Sequence, residues 1–366
     1  ERKPHVNASI RRRAVAALAT AGIAGIILAG CSAPPETGGG DAGAEGSDFL
    51  ACAVSDEGSW NDKSFNEAAY GGMLKAEKEL GIKISDAESH TPEDFEPNLT
   101  AMVDAGCDII IGVGFNLVDP LHAAAKANPD SNFVTVDGFL ADDTITNLKP
   151  VMYDTVQSSY LAGYVSAAYS TTKIVGTYGG MNIPAVTDFM VGFYNGAKAY
   201  EADTGTAVTV VGFDPANPDA GDYVGDFQNK ETAKSISAGQ IEKGADVILP
   251  VAGGLFSATS EAINDSGKPV VMLGVDKNVA ETSPEYADQI LTSIEKLMTQ
   301  AVYDVIKETK EDGFNAEAYI GTLENDGTRL SPFGAFDDKI PADIKTKLDE
   351  LKAGIIDGPI DPKVTP

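Results

Sequence analysis

The chain is 366 residues long and carries 27 basic against 55 acidic residues, for a formal net charge of −28. A surface this acidic repels nucleic acid and anionic lipid, which argues against a DNA-binding or membrane-surface role and disfavours a polyanionic ligand. The length exceeds what one small core needs and suits two lobes. Three cysteines and three histidines are too few for a disulfide framework, a His-based triad or a zinc site.

Arg11, Arg12 and Arg13 precede an uncharged apolar run from Ala14 to Gly30. That run is short for a membrane span and ends in small residues, as a signal peptide does. Its end, Leu28-Ala29-Gly30-Cys31, resembles a bacterial lipobox. Residues 1–30 are therefore expected to be a lipoprotein signal peptide, with Cys31 the lipidated first residue of the mature chain. Stable anchoring requires more than one acyl chain. Residues 32–47, SAPPETGGGDAGAEGS, hold nothing that builds a core, and residues 31–47 read as a flexible tether. The folded part is expected from about Asp48.

Short apolar strands then alternate with helical stretches. FLACAV (49–54) predicts a strand, and Phe65, Ala69, Gly72, Ala76 and Leu80 recur at helical spacing over 63–80. DIIIGVG (108–114) is a near-continuous apolar run, as a strand buried on both faces should be. A helix over 118–127 ends at Asn128-Pro129, NFVTVDG (132–138) is a strand, 144–154 holds one or two more, and a long helix covers about 155–170. A second series follows: strand 173–180, helix 185–203, strand 207–213, helix 230–243, strand 246–254, helix 257–266 and strand 270–276. A helix over 288–309 and an irregular tail complete the chain. Cys52 and Cys107 sit in or beside apolar runs and are expected as buried free thiols.

Strand–helix alternation predicts parallel sheets covered by helices, and two series split near residue 155 predict two doubly wound α/β lobes. Open α/β sheets bind ligands beyond the carboxyl ends of their strands. Ser55-Asp56, Gly114-Phe115, Asp137, Gly253-Gly254 and Asp276 all fall at such ends. No P-loop, complete dinucleotide fingerprint, GxSxG elbow or HExxH helix occurs. The densest stretch runs from Asp56 to Asn66, DEGSWNDKSFN. Asp62 or Ser64 is suited to cap the following helix. Phe65 offers either a core contact or a stacking face at the mouth of a cleft, and Asn66 adds a donor and an acceptor.

The pattern D-x-G-x-x-x-D-x-S-F-N over 56–66 resembles the start of the basic membrane protein family, the PnrA-like nucleoside-binding lipoproteins of ABC transporters. NPDSNFVTVDG (128–138), SYLAGYVSA (159–167), GGMNIPAVTDFMVGFYNGAKA (179–199), GADVILPVAGG (244–254), GVD (274–276) and TSIEKL (292–297) follow in the family's order. The likeness covers nearly all of residues 48–310. It implies a type I periplasmic-binding-protein fold of two lobes joined by a hinge. Lobe 1 would hold 48–155 and 277–312, and lobe 2 would hold 156–276 and 313–366. It also implies a binding protein and not an enzyme, with no cofactor and no metal. Its partners would be a nucleoside, purine nucleosides favoured, the permease and ATPase subunits of a transporter, and the membrane through lipid on Cys31. Nucleic acid is not among them.

Carried over by position, Phe65 stacks on the base, while Asn66 and Asp137 read its polar edge. Asp56 lies against the ligand or holds Asn66. Asp276 accepts from the ribose hydroxyls and Lys296 donates to them. Gly253 lets the backbone approach the sugar. Phe189 or Phe193, four apart and on one side of a helix, supplies the opposing aromatic face, with Phe189 favoured. A cleft lined by Asp56, Asp137 and Asp276 with one lysine repels phosphate, so nucleosides are expected over nucleotides. Three departures stand out: Glu67 where Gln is commoner, Asn182 where Asp is usual, and GVDKN in place of GVDSDQ. The rival readings are a sugar or autoinducer-like ligand for the same fold, a secreted nucleoside hydrolase, and a sensor or adhesin.

A Cys31→Ser variant is expected to fold and bind as the parent does but to escape into the medium. Fractionation of cells and medium checks this, and loss of binding in the variant would overturn the separation of anchor from cleft.

Overall fold

A computed structural model describes residues 47–138 and 144–366. The Arg11–Arg13 run, the apolar segment, Cys31 and the tether as far as residue 46 lie outside the described residues. In chain order the first elements are β1 (Leu50–Ser55), α1 (Phe65–Leu80), β2 (Lys83–Ala87), α2 (Phe95–Asp104), β3 (Ile109–Val113), α3 (Val118–Ala127), β4 (Phe133–Val136) and β5 (Leu148–Tyr153). Then come α4 (Thr155–Tyr169), β6 (Ile174–Gly179), α5 (Pro184–Thr204), β7 (Thr209–Val211), α6 (Lys230–Glu242), β8 (Val247–Val251), α7 (Phe256–Ser266), β9 (Val271–Asp276), the single turn α8 (Val279–Thr282) and β10 (Ile290–Lys296). The chain ends with α9 (Met298–Glu311), β11 (Tyr319–Gly321), β12 (Thr328–Leu330) and α10 (Ala342–Ile356).

The described strands form two six-stranded sheets, ordered β11-β5-β4-β3-β1-β2 and β12-β10-β9-β8-β6-β7. Pairing is parallel throughout except β10 with β12. Each sheet is covered on both faces, so its central strands are apolar on both sides. In β3, Ile109, Ile111 and Val113 face α1 and α9 with Met73, Val302 and Ile306, whereas Ile110 faces Phe95, Leu99 and Leu121. In β8, Val247, Leu249 and Val251 pack with Phe189 and Phe193, and Ile248 packs with Phe256. A strand's side chains alternate between its two faces, and that period divides each lobe's core in two.

The chain crosses between lobes after β5, after β10 and between β11 and β12. After the first crossing α4 lies on α5, where both helices spend glycines on the contact: a Cβ on Gly163 would stand 2.0 Å from the Phe193 carbonyl oxygen, and one on Gly196 1.9 Å from that of Tyr160. After the second, α9 returns to pack on α1 of the first lobe.

Four expectations are corrected. The run TSIEKL begins no helix over 288–309: Ile290–Lys296 is a fully buried strand, and the helix starts at Met298. Consequently residues 277–296 belong with the second sheet and not with lobe 1, while β11 takes residues 319–321 back to the first sheet. The tail is not irregular, because Leu348, Leu351 and Ile355 of α10 join the second lobe's core. Finally, Cys52 and Cys107 are not free thiols but a disulfide with Cα atoms 5.9 Å apart. Cys52 sits in β1 beside Ile110 of β3, and Cys107 leads into β3, so neighbouring parallel strands bring together residues 55 apart in sequence.

A cross-link of this span stabilises chiefly by restricting the unfolded chain, by about 2–4 kcal/mol. Replacing both cysteines by alanine should lower the thermal midpoint by several degrees, and a reductant should do the same to the parent only. Equal melting of parent and variant without reductant would refute the link.

Candidate functional site

The carboxyl ends of the two sheets face one another across a cavity of about 540 Å³. Asp56, Phe65, Asn66, Asp137, Phe189, Gly253, Asp276 and Lys296 all line it. Phe193 does not: it is fully buried with Tyr160, Ala197 and Leu249 in the core of the second lobe. Of the i, i+4 pair, Phe189 therefore faces the cleft. No histidine or cysteine lines the cavity, and no group of three or more His, Cys, Asp or Glu among the described residues could hold a metal ion.

The β1–α1 segment is organised by two aspartates. Asp62, and not Ser64, satisfies the first amides of α1, accepting from the backbone N–H of Ser64 (2.8 Å), Asn66 (2.8 Å) and Glu67 (3.1 Å). Asp56 Oδ1 accepts from the Gly58 N–H at 2.9 Å and from Asn66 Nδ2 at 2.7 Å. Asn66 is thus held by its amide nitrogen, and its Oδ1 is buried without a hydrogen-bond donor. Ser64, released from capping, donates from Oγ to Asp276 Oδ2 at 2.6 Å.

Asp137 directly follows β4 and Asp276 ends β9, topologically matching strands of the two sheets. Both residues adopt left-handed backbone conformations, with φ of 66° and 68°. At Asp276 the Lys277 N–H donates to the Val275 carbonyl at 2.8 Å, closing a three-residue γ-turn. Such conformations cost on the order of 1–3 kcal/mol and persist where surroundings enforce them. Here the two carboxylates converge on one cation. The Lys296 ammonium pairs with Asp137 and lies 3.9 Å from Asp276 Oδ1. It also stands 5.4 Å from the Phe65 ring centre and 4.9 Å from that of Phe189, within cation–π range of both.

Gly253 takes φ of 54°, and a Cβ there would meet nothing within 4 Å. The close approach falls instead on Gly254, whose Cβ would stand 2.4 Å from the Asp62 carbonyl oxygen of the other lobe. With Gln228 Nε2 donating to the Glu57 carbonyl at 2.7 Å, the lobes are shut on one another.

Sequence reasoning missed Phe227 and Tyr286, which also line the cavity. Phe227 lies in an irregular stretch with no periodicity to expose it, and its ring packs so closely on Gly180 that a Cβ there would stand 2.3 Å away.

Burial raises the Asp56 carboxyl to about 7; the Gly58 and Asn66 hydrogen bonds oppose this, and the charges of Asp62 and Glu57 add to it. Burial raises Asp276 to about 6 against the pull of Lys296 and Ser64. Asp62 is also raised by burial, in spite of the amides it accepts.

Residues 49–350 match the family model described as ABC transporter substrate-binding protein PnrA-like. The chain is 30% identical over 365 residues to the ABC transporter nucleoside-binding protein BmpA of Lactococcus lactis subsp. cremoris, covering 95% of this chain and 97% of that one. It is 28% identical to basic membrane protein A of Borreliella burgdorferi over 71% of this chain and 72% of that one. The fold superimposes on the crystal structure of an ABC transporter solute-binding protein from Aeropyrum pernix with a TM-score of 0.76 and 24% identity, covering 87% of this chain and 94% of that one.

A carboxyl whose folded pKa lies above its unfolded value binds more protons in the native state. Its contribution to stability is present below about pH 4 and is lost as pH rises through about 7. Asp56→Asn keeps an acceptor for Gly58 and Asn66 and removes the buried charge. The variant should melt above the parent at pH 8 and level with it near pH 4. A melting difference independent of pH would contradict the assignment.

Proposed function

The chain belongs to the PnrA-like family of ABC transporter substrate-binding proteins, and we propose that it binds purine nucleosides in its interlobe cleft for delivery to a membrane permease and its ATPase. The observation that carries this reading is the convergence of Lys296, Asp137 and Asp276 between Phe65 and Phe189. A purine has two π-faces and a ribose has vicinal hydroxyls, and the cleft offers a counterpart to each. Phe65 and Phe189 stack on the base, a contact of about 1–3 kcal/mol that tolerates base identity. Asp276 accepts from the ribose hydroxyls in charge-assisted hydrogen bonds, and Lys296 donates to them. Asp137 and Asn66 read the base edge, Asp56 holds Asn66, and the bare backbone of Gly253 leaves room for the sugar.

The cleft's charge supports nucleosides over nucleotides. Lys296 is the one buried lysine of the cavity, Lys63 and Lys230 lying at its exposed rim, and it faces the carboxyl groups of Asp137, Asp276 and Asp56, so a phosphate reaching the floor of the cleft meets net repulsion. The converging carboxyl groups of Asp137 and Asp276 are tied to Lys296 and Ser64 instead of standing free as an acid or base, which supports binding without catalysis. The name of the Lactococcus relative agrees with a nucleoside ligand. On this reading Cys31 holds the domain by lipid at the extracytoplasmic face of the membrane, and residues 32–47 give it reach.

Calorimetry with inosine, guanosine, adenosine and uridine, against ribose, galactose and AMP, tests the reading. Purine nucleosides should bind and be recovered unchanged after long incubation, AMP should bind far more weakly, and Phe65→Ala should cost roughly ten- to a hundredfold in affinity. AMP bound as tightly as adenosine, or sugars bound in place of nucleosides, would overturn it.

A further inference from the structure

The N-terminal end of α1 meets the second lobe through two side chains, Ser64 just before the helix and Glu67 in its first turn. Ser64 Oγ donates to Asp276 Oδ2 at 2.6 Å in a buried contact. Three residues on, Glu67 Oε1 meets Lys277 Nζ at 2.5 Å. Their two partners, Asp276 and Lys277, are consecutive in the chain. The γ-turn at Asp276 makes this possible by sending Asp276 into the cleft and Lys277 to the outer side of the seam. Phe65 and Asn66 stand between the two contacts in sequence.

The two contacts differ in kind. The inner one is sealed from water. The outer one is an ion pair whose lysine side chain is 16% exposed and whose glutamate is 40% exposed. A neighbouring pair across the seam, Lys63 with Glu285, is 3.6 Å apart with both side chains more than half exposed. Exposed pairs of that kind contribute little, whereas a half-buried close pair contributes more and still responds to salt.

We propose that the Glu67–Lys277 ion pair is the outer latch of the closed cleft, a positioning pair that keeps Asn66 and Asp276 in register across the seam and sets the rate at which ligand leaves. This rests on the reading of a nucleoside in the cleft. Release requires the lobes to separate, so both contacts must break before the ligand departs. The latch residues line the outer groove with Trp60 and Tyr70, outside the set that lines the main cavity. Loss of the latch therefore speeds the escape of every nucleoside alike and leaves the ranking among them unchanged.

The test is a chase of labelled inosine from the full-length protein, run at low and high salt, with small-angle scattering of the ligand-free protein alongside. Glu67→Gln and Lys277→Gln should each release inosine roughly three- to tenfold faster than the parent at low salt, with the gap closing at high salt. The order of affinity among inosine, guanosine and adenosine should stay as in the parent. Glu67→Lys should enlarge the ligand-free particle, and adding Lys277→Glu should restore both its size and a parental release rate. Parental release rates in the single variants, or a charge swap no better than Glu67→Lys alone, would overturn the latch. If the parent binds no inosine, the nucleoside reading fails, and the scattering comparison decides the latch by itself.

Discussion

The ammonium of Lys296, almost sealed from water, is held between carboxylates that come from opposite lobes. A buried charge is tolerated only when paired and hydrogen-bonded. Lys296 is the last residue of β10, so it reaches the other lobe's Asp137 from the point where the chain is about to cross. The pairing forces much of what surrounds it. Both aspartates accept left-handed backbone, two phenyl rings flank the cation, and Ser64 gives up capping its own helix to donate to Asp276. Asp62 then takes over the cap, and the same loop that satisfies the helix also meets the neighbouring lobe.

The two sheets follow one plan. β1 to β5 correspond in order to β6 to β10, and the strand ends carry matching features. Asp137 answers Asp276, and the turn after Gly114 answers the turn at Gly253. Where the plan is broken, the cleft acquires direction. Tyr153 ends β5 where Lys296 ends β10, so at matching positions one lobe places an aromatic in its core, 6.0 Å from the ammonium, and the other places the cation in the cleft. Asp56 follows β1 where a glycine pair, Gly179-Gly180, closes β6, so one lobe brings a carboxylate and the other an opening for the Phe227 ring.

The parts of this fold legible in the sequence are those whose physics is local. Strands such as Ile109–Val113 are covered on both faces and show as unbroken apolar runs. Positions just past those strands are where open α/β sheets bind, and that rule alone marked Asp56, Asp137, Gly253 and Asp276. Where a distant partner decides, sequence pattern fails. Ile290–Lys296 reads as polar, because Thr292, Ser293, Glu295 and Lys296 are buried only by virtue of Ser331, the Val279 amide, Arg329 and Asp137. Asp62 and Ser64 are equally good caps in isolation, and Asp276, 212 residues away, chooses between them. The disulfide likewise needs β1 and β3 side by side before its two thiols are neighbours. Two of the departures from the family pattern, Glu67 and the lysine of GVDKN, prove to be each other's partners.

Trp60 is the chain's sole tryptophan. Its indole stacks on Tyr70 with ring centres 4.8 Å apart, its Nε1 donates to Asp86 at 2.8 Å, and its own backbone N–H is held by Glu88. It thus belongs to lobe 1 by its bonds, yet it lines the groove that Lys277 of lobe 2 completes. An indole's emission depends on its polarity and on the charges nearby, and an arriving ammonium changes both. The molecule therefore carries a native optical probe at its seam, one without a competing signal from any other indole. Opening and closing can be followed in unlabelled protein from the light of a single ring.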